Sequence, residues 1–291
     1  MNKIGLIGYG SMGSMLVKGF INSEVIKPEN MIVSTATKDK LNKIQNNWKK
    51  IQVTGSNIKV AKNAKYIIIC VKPSQVKKIL DEIKENINKE QVIVSIAACV
   101  TINNIEQVIN GKVIKVIPTL LSEVDRGISL ICYNSQINKK EKAFIENIFN
   151  SISKVKIIKE NNFEIAADFT SCAPGLFAAI FQEFVESGLK HSSFSRKEVE
   201  EMVLQTFFGT AKLLEEKSMS FEDTISRVAT EGGITQEGVK VIEEKLPVVF
   251  NNVFEKTLNK HKILKNEIKK DYKWINRDVT PTPSPNSRLA T

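Results

Sequence analysis

The residues with the clearest chemical potential lie at the N-terminus, where three glycines follow a short apolar run. Gly8, Gly10 and Gly13 have the spacing of a turn between a buried strand and an amphipathic helix. Gly8 permits the tight turn, Gly10 lets a phosphate approach the backbone, and Gly13 lets the helix pack closely on the strand. Because the N–H groups at the start of such a helix attract an anion, this segment predicts a site for the pyrophosphate of a nicotinamide or flavin dinucleotide.

A second cluster follows the next predicted strand and bears on the identity of the dinucleotide. Enzymes that use NAD usually carry an acidic residue here, which binds the ribose hydroxyls. This chain has Thr35, Thr37 and Lys38 instead, and hydroxyl and cationic groups suit a 2′-phosphate. We therefore predict NADP (NADPH) as the cofactor, with these three side chains as contacts. The nearby Asp39 leaves NAD as the alternative.

Val71, Lys72 and Pro73 end the third predicted strand and begin the loop after it. In a doubly wound sheet, loops at the carboxyl ends of the strands line the ligand crevice, so we expect this loop to face the cofactor. The alternative is an ordinary connection with proline in the first turn of the next helix. The position of the loop and its lysine favour the cofactor contact.

A pair of glycines in the second half of the chain is a candidate substrate site. Gly232 and Gly233 follow Thr230 and precede Thr235. Paired glycines at the start of a helix expose consecutive N–H groups, which can bind a carboxylate. The Thr235 hydroxyl could then donate to a substrate nitrogen or oxygen. The alternative is a simple turn between two helices.

Composition narrows the class of protein. The net charge is +10, from 42 Lys and Arg against 32 Asp and Glu. The lysines are spread along the whole chain, which indicates a solvated basic surface that attracts small anions and not a nucleic-acid interface. No apolar run approaches the roughly 20 residues that span a bilayer, so we expect no membrane partner.

The cysteines and histidines give no indication of a metal site. Cys70, Cys99, Cys132 and Cys172 show neither close pairing nor the spacing of metal ligands, which predicts a reduced, cytoplasmic protein. The only histidines, His191 and His261, fall among residues of predicted helix surfaces. We expect neither of them to have a catalytic or metal-binding role.

The elements that position these residues divide the chain into three parts. Residues 1–158 alternate short β-branched runs with amphipathic stretches, which predicts an α/β, doubly wound, mainly parallel sheet covered on both faces. Residues 159–265 form Phe-rich helices that are apolar over more than one face, which predicts an all-α domain buried in an oligomer. Residues 266–291 include alternate prolines and are predicted to be disordered. The predicted strands are Ile4–Ile7, Met31–Val33, Tyr66–Val71, Gln91–Ile96, Val113–Ile117, Gly127–Cys132 and Lys154–Ile158.

From residue 1 to about residue 262 the chain resembles the pyrroline-5-carboxylate reductase family. The residues that carry the resemblance are Gly8-Tyr-Gly-Ser-Met-Gly13, Val71-Lys-Pro73, Ser95-Ile-Ala-Ala98, Ile117-Pro118, Ala173-Pro174 and Gly232-Gly-Ile-Thr235. The resemblance implies an N-terminal Rossmann domain, a C-terminal helical dimerisation domain that interlocks with a second subunit, and a homodimer or higher homo-oligomer. The implied cofactor contacts are Gly8, Gly10, Ser11, Met12, Gly13, Val71, Lys72, Pro73 and Ala97.

The resemblance also implies an activity, the reduction of the imino acid L-pyrroline-5-carboxylate to L-proline with NAD(P)H. Such a hydride transfer depends mostly on alignment and on exclusion of water. Gly232 and Gly233 would bind the substrate carboxylate, Thr235 would act as the catalytic residue by hydrogen bonding the ring nitrogen, and Thr230 would support the loop.

Several positions depart from the family pattern. Cys99 and Thr119 stand where the family has glycine and asparagine, and Cys172 and Leu176 change the segment before a helix. Glu231 lies beside the expected carboxylate pocket, where an acid repels an anionic substrate unless it points away. This pattern is similar to a divergent branch found in bacterial late-competence operons. Reduction of another imine and a non-enzymatic, cofactor-binding role in a competence pathway are therefore alternatives.

Overall fold

The computed structural model describes residues 3–273 and divides into two compact units. Within these residues, the N-terminal unit comprises the chain up to Ser171 together with residues 259–273, and the helical unit is Cys172–Leu258. The strands, all in the N-terminal unit, are β1 (Ile4–Ile7), β2 (Met31–Ser34), β3 (Gln52–Thr54), β4 (Tyr66–Ile69), β5 (Val92–Ser95), β6 (Lys112–Ile117), β7 (Gly127–Tyr133) and β8 (Ser153–Ile157).

These strands form one eight-stranded sheet in the order β3-β2-β1-β4-β5-β6-β7-β8. All neighbouring strands run parallel except β6 and β7. The strand order reverses between β1 and β4, which is where a doubly wound sheet opens its ligand crevice. The structure confirms the predicted mainly parallel sheet.

Helices cover both faces of the sheet. On one face Leu6 packs with Phe20 and Phe149, and on the other Ile7 packs with Leu80 and Ile268. Strands buried on both faces carry apolar residues without alternation, which explains why they were predictable. The helices of this unit are α1 (Ser11–Asn22), α2 (Lys38–Asn47), α3 (Asn57–Asn63), α4 (Pro73–Ile83), α5 (Ile102–Glu106), α6 (Lys139–Asn150) and α7 (Phe163–Ala167).

The helical unit contains α8 (Ala173–Leu189), α9 (Arg196–Glu216), α10 (Phe221–Val228) and the first part of α11 (Ile234–Lys273). A capping box begins α9, where Ser195 and Glu198 exchange hydrogen bonds. The rings of Phe181 and Phe207 join α8 to α9 with centroids 3.8 Å apart. Many other large apolar side chains of this unit are exposed.

The domain boundaries differ from the prediction. Helix α11 continues through residue 266 as far as Lys273, and its last part belongs to the N-terminal unit. Ile268 and Tyr272 are buried there and contribute to its core, so this part of the predicted tail is an ordered helix. The proline-rich segment Thr280–Asn286 lies outside the described residues.

One helical stretch bears on the predicted absence of membrane-spanning runs. By length and composition alone, Glu160–Leu189 is long and apolar enough to cross a bilayer, with a mean hydropathy of 1.2. Helices that pack against protein in a soluble assembly have the same composition. Length and apolar composition therefore do not distinguish a helix in a bilayer from a helix in a protein interface.

Candidate functional site

The glycine turn after β1 has a conformation that requires glycine. Gly8 adopts a φ of 101°, and a Cβ atom there would overlap the carbonyl group of Cys70. A Cβ atom on Gly13 would overlap the carbonyl oxygen of Gly8. The N–H group of Gly8 donates to the carbonyl of Ser34 at 2.9 Å, which ties the turn to the end of β2. The close packing that the sequence predicted is therefore present.

Gly10 occupies the N-cap of α1 and faces open space. A Cβ atom built on it would meet nothing within 4 Å, no side chain caps the helix, and its first turn contains no acidic residue. Ser11 is exposed and Met12 half-buried in that first turn. The first N–H groups of a helix attract an anion, and here no carboxylate in that turn competes with one. The residues present fit a pyrophosphate group.

The predicted cofactor contacts of four strands are brought to one edge of the sheet. Ile7 is in register with Ser34 and with Ile69, and Ile69 is in register with Ser95. Because these strands are parallel, the loops that follow them emerge side by side. The glycine turn, the segment from Thr35 to Lys38, the Val71–Pro73 loop and Ala97 therefore share the edge where the strand order reverses.

The loop after β2 presents the groups expected to bind a 2′-phosphate. Thr35 is half-buried, and its hydroxyl accepts a 3.5 Å hydrogen bond from the N–H group of Thr37. Thr37 occupies the N-cap position of α2 without a capping hydrogen bond from its side chain, and Lys38 is exposed in the first turn. Asp39 is also exposed in that turn, so the geometry alone leaves both cofactors possible.

Asn57 is a polar residue of this region that sequence reasoning missed. The buried Ser34 hydroxyl donates to the Asn57 Oδ1 atom at 2.7 Å, and the Asn57 Nδ2 atom donates to Glu82 at 2.9 Å. These contacts join residues far apart in the chain, so no local pattern indicates them. Asn57 is the first residue of α3, and the preceding Ser56 caps that helix by accepting a hydrogen bond from the N–H group of Lys59.

The loops after β4 and β5 differ in exposure. Val71 lies against the glycine turn, with its Cγ1 atom 2.8 Å from the position of a Cβ atom on Gly8. Lys72 is exposed, and its N–H group donates to Gln75 at 3.3 Å where Pro73 begins α4. Ala97 is buried, and its N–H group donates to the Ser95 hydroxyl at 3.4 Å.

A chain of polar side chains lies immediately after Ala97 and was not anticipated. The Cys99 Sγ atom is 3.4 Å from the Nδ1 atom of His261, and the Nε2 atom of His261 is 3.5 Å from an Asp168 carboxylate oxygen. Burial raises the pKa of the Cys99 thiol. The prediction that His261 lies on a helix surface is wrong, because its part of α11 packs on the N-terminal unit through Ile268.

Lys115 is a second buried polar group of this unit. It is 1% exposed in β6, and its Nζ atom lies 3.7 Å from Glu160 and 4.9 Å from the ring centroid of Phe163. Burial lowers the pKa of Lys115. The same Glu160 oxygen accepts a hydrogen bond from the N–H group of Ile102 at 2.7 Å. These contacts hold the segment before α7 against the sheet.

In the helical unit, the glycine pair is arranged differently from the prediction. The N–H group of Gly232 donates to the Gln236 side chain at 2.8 Å, and that of Gly233 donates to the Thr230 carbonyl at 2.9 Å. Both donors are therefore engaged within the loop and do not form an open pair. Thr230 and Thr235 are exposed, and Thr235 lies in the first turn of α11.

The departures from the family pattern have different structural settings. Glu231 is exposed in the turn before α11, whereas Cys172 and Leu176 are half-buried around the start of α8. Thr119 is buried, and its hydroxyl accepts a hydrogen bond from the N–H group of Ile128 at 3.3 Å. The Thr119 side chain thus stabilises the connection from β6 to β7.

Two family descriptions match two separate parts of the chain. Residues 3–99 match the family described as NADP oxidoreductase, coenzyme F420-dependent, and residues 160–264 match pyrroline-5-carboxylate reductase dimerisation. The N-terminal unit is therefore a nicotinamide dinucleotide-binding domain, and the helices after it form a dimerisation domain.

Individual relatives match nearly the whole chain. Pyrroline-5-carboxylate reductase 3 of Bacillus subtilis is 37% identical over 93% of this chain and 99% of its own length. ComE operon protein 4 of the same organism is 30% identical with the same coverage. The NADP-bound crystal structure of Plasmodium falciparum pyrroline carboxylate reductase shares the fold, with a TM-score of 0.78 at 24% identity over 92% of this chain and 98% of that one. The chain belongs to the pyrroline-5-carboxylate reductase family.

Proposed function

We propose that this protein is an NADPH-dependent reductase that converts L-pyrroline-5-carboxylate to L-proline. The observation that carries the proposal is the glycine turn, in which Gly10 leaves open space before an uncapped helix at the edge where the strand order reverses. The full-length similarity to a pyrroline-5-carboxylate reductase supports the choice of substrate.

The N-terminal unit holds the cofactor in this proposal. When bound, the reduced nicotinamide supplies a hydride to the imine carbon. The first N–H groups of α1, from Ser11 and Met12, bind the pyrophosphate. Thr35, Thr37 and Lys38 bind the 2′-phosphate. Asn57 lies next to this group of residues, because its amide oxygen accepts a hydrogen bond from Ser34 at the end of β2. NAD remains the alternative cofactor because Asp39 lies in the same turn.

The loop before α11 binds the substrate in this proposal. Since Gly232 and Gly233 donate within the loop, we assign the carboxylate to the first-turn N–H groups of Ile234 and Thr235 at the helix N-terminus. The Thr235 hydroxyl hydrogen-bonds the ring nitrogen. A cyclic iminium carbon is already electrophilic, so alignment is the main requirement from the protein.

A second copy of the chain completes the protein in this proposal. The dimerisation-family match and the exposed apolar side chains of the helical unit support a homodimer. Four free cysteines support a reducing, cytoplasmic location.

Glu231 favours a second candidate function. Its carboxylate lies one residue before the glycine pair, where it repels an anionic substrate, and the chain is also 30% identical to ComE operon protein 4. Reduction of an imine without a carboxylate is the enzymatic form of this alternative. Cofactor binding without catalysis is the other form.

Oxidation of NADPH in the presence of L-pyrroline-5-carboxylate tests the proposal, with NADH in a parallel assay. We expect T235A to lower kcat by about tenfold or more, while the NADPH dissociation constant changes by less than about threefold. The matched variant T235S keeps the hydroxyl and retains most of the activity. Bound NADPH without turnover of this imine would favour the second candidate function, and equal losses of kcat and NADPH affinity in T235A would contradict the role of Thr235.

Cofactor preference is tested by reversing one charge. We expect K38E to weaken NADPH binding by about tenfold and to leave NADH binding nearly unchanged, because only NADPH carries the 2′-phosphate. K40E in the same helix is the matched control and changes both affinities equally. A larger effect of K38E on NADH would contradict the assignment.

A further inference from the structure

Cys99 has a backbone conformation that is unusual for a residue with a side chain. Its φ is 65°, in the left-handed region, and it is 3% exposed. A Cβ atom disfavours this region, whereas glycine enters it freely.

The Cys99 side chain has a polar partner inside the N-terminal unit. Its thiol lies 3.4 Å from the Nδ1 atom of His261, and burial raises the thiol pKa, so the proton stays on sulfur and can be donated. The Nε2 atom of His261 faces the buried Asp168 carboxylate at 3.5 Å, which favours the tautomer with its proton on Nε2. The Nδ1 lone pair is then free to accept from Cys99.

His261, the partner of Cys99, is fixed by the surrounding structure. His261 lies in the part of α11 that packs on the sheet, where Ile268 and Tyr272 are buried. Lys265, one turn after His261, forms an ion pair with Glu164 of α7 at 2.6 Å. A rigid acceptor therefore meets the thiol at the end of a strained loop.

We propose that the Cys99–His261 contact is a clamp that holds the loop after β5 in its left-handed conformation. Cys99 and His261 are then positioning residues for the reduced nicotinamide ring, which act through the backbone from Ala97 to Val100. The inference rests on the proposed cofactor site, because this loop lies at the same edge of the sheet as the glycine turn. A glycine in place of Cys99 would need no clamp.

Four variants of the full chain test the clamp through kcat. C99A keeps the Cβ atom but loses the donor, and H261L loses the acceptor, so we expect each to lower kcat by about tenfold, equivalent to about 1.4 kcal/mol. C99G removes the donor and the strain together, and its kcat stays within about twofold of the unmodified protein. Adding H261L to C99G has no further effect. C132A, which truncates another buried cysteine, is the matched control and retains full activity.

Two outcomes would overturn the clamp. If C99G is more impaired than C99A, the thiol contributes by filling space, because glycine leaves the larger gap. If H261L lowers kcat equally with cysteine and with glycine at position 99, His261 acts independently of Cys99. Thermal midpoints recorded for every variant separate a loss of folded protein from a loss of positioning.

Fluorescence of bound NADPH distinguishes failure of the clamp from failure of the proposed function. The reduced nicotinamide reports its surroundings, so we expect C99A and H261L to alter its emission and C99G to leave it unchanged, even if pyrroline-5-carboxylate is not the substrate. Normal turnover with identical emission in all variants would overturn the clamp alone. Absence of NADPH binding by the unmodified protein would overturn both proposals.

Discussion

The two units differ in how much of its own apolar surface each one buries. In the N-terminal unit, two apolar layers enclose the sheet, and strands such as β4 are buried along their whole length. In the helical unit, only Ala173, Val185 and Val199 are buried among the apolar residues of the segment Cys172–Leu258. Apolar area removed from water is the main source of stability, so the N-terminal unit has a core of its own and the helical unit requires another surface.

Phenylalanine has a different structural role in each of the two units. The phenylalanines Phe20 and Phe149 meet edge to face inside the N-terminal unit, with ring centroids 5.4 Å apart. Phe184 and Phe208 of the helical unit are each 67% exposed. The same residue type is therefore buried in a core in one unit and exposed in the other. Sequence composition alone does not distinguish these uses.

The largest expected effect comes from placing a charge on an exposed apolar residue of each unit. Phe184 is 67% exposed in α8, and Val124 is 65% exposed in the N-terminal unit. We expect F184E to weaken self-association by a hundredfold or more, about 2.8 kcal/mol, because a carboxylate is costly to bury. V124E is the matched control and leaves association unchanged. Sedimentation velocity measures both, and equal behaviour of the two variants would break the comparison.

The second prediction separates stability from binding within the N-terminal unit. G8A places a Cβ atom against the Cys70 carbonyl at a φ of 101°, so we expect a loss of about 2 kcal/mol in unfolding free energy. G10A places its Cβ atom in open space, so stability changes by less than about 0.5 kcal/mol while NADPH affinity falls. Urea unfolding and NADPH titration test both variants. A stable G8A variant would contradict the packing argument.

The third prediction concerns the ion pair between the buried Lys115 and the partly exposed Glu160. We expect E160Q to lower the unfolding free energy by about 1–2 kcal/mol, because it weakens the charge opposite Lys115 and the acceptor for Ile102. K115M removes the buried charge with little change in volume, and its stability stays within about 1 kcal/mol of the unmodified protein. Urea unfolding compares the two variants. Greater damage from K115M than from E160Q would show that the charge itself stabilises this core.

The smallest effect is expected from the capping box of the helical unit. The Ser195 hydroxyl and N–H group donate to Glu198, which lowers the pKa of that carboxyl below its ordinary value of 4.5. The contribution of the ionised Glu198 carboxylate to stability is therefore fully present above its unfolded-state pKa. It is lost as the pH falls through the lower folded-state pKa. We expect E198Q to lower the thermal midpoint by about 2 °C near neutral pH and to have no effect in strong acid. A pH-independent difference would contradict this assignment.

The sheet and the glycine turn were predictable because their determinants are local. Buried parallel strands such as β1 and β4 carry continuous apolar residues, and the spacing of Gly8, Gly10 and Gly13 follows from a single turn. The three-residue strand β3 was missed, since it is short and begins with the exposed Gln52. Its place at the edge of the sheet requires less apolar surface.

The details of the candidate sites depended on contacts between distant residues. His261 has ordinary helical surroundings in sequence, and only the packing of α11 places it between Cys99 and Asp168. The left-handed backbone of Cys99 has no local cause in the sequence. The N–H groups of Gly232 and Gly233 were expected to be open, but their acceptors, Gln236 and Thr230, become apparent only from the folded loop.

The division of α11 between the two units has a consequence for biosynthesis. The ribosome releases residues up to Ser171 first, then the whole helical unit, and only afterwards the segment from Asn259 that completes the first unit. Until Ile268 and Tyr272 emerge, the nascent sheet lacks part of its apolar covering. During this interval the nascent chain exposes uncovered apolar surface in both units. A chaperone that binds apolar segments would therefore have its longest time to bind the chain during this interval.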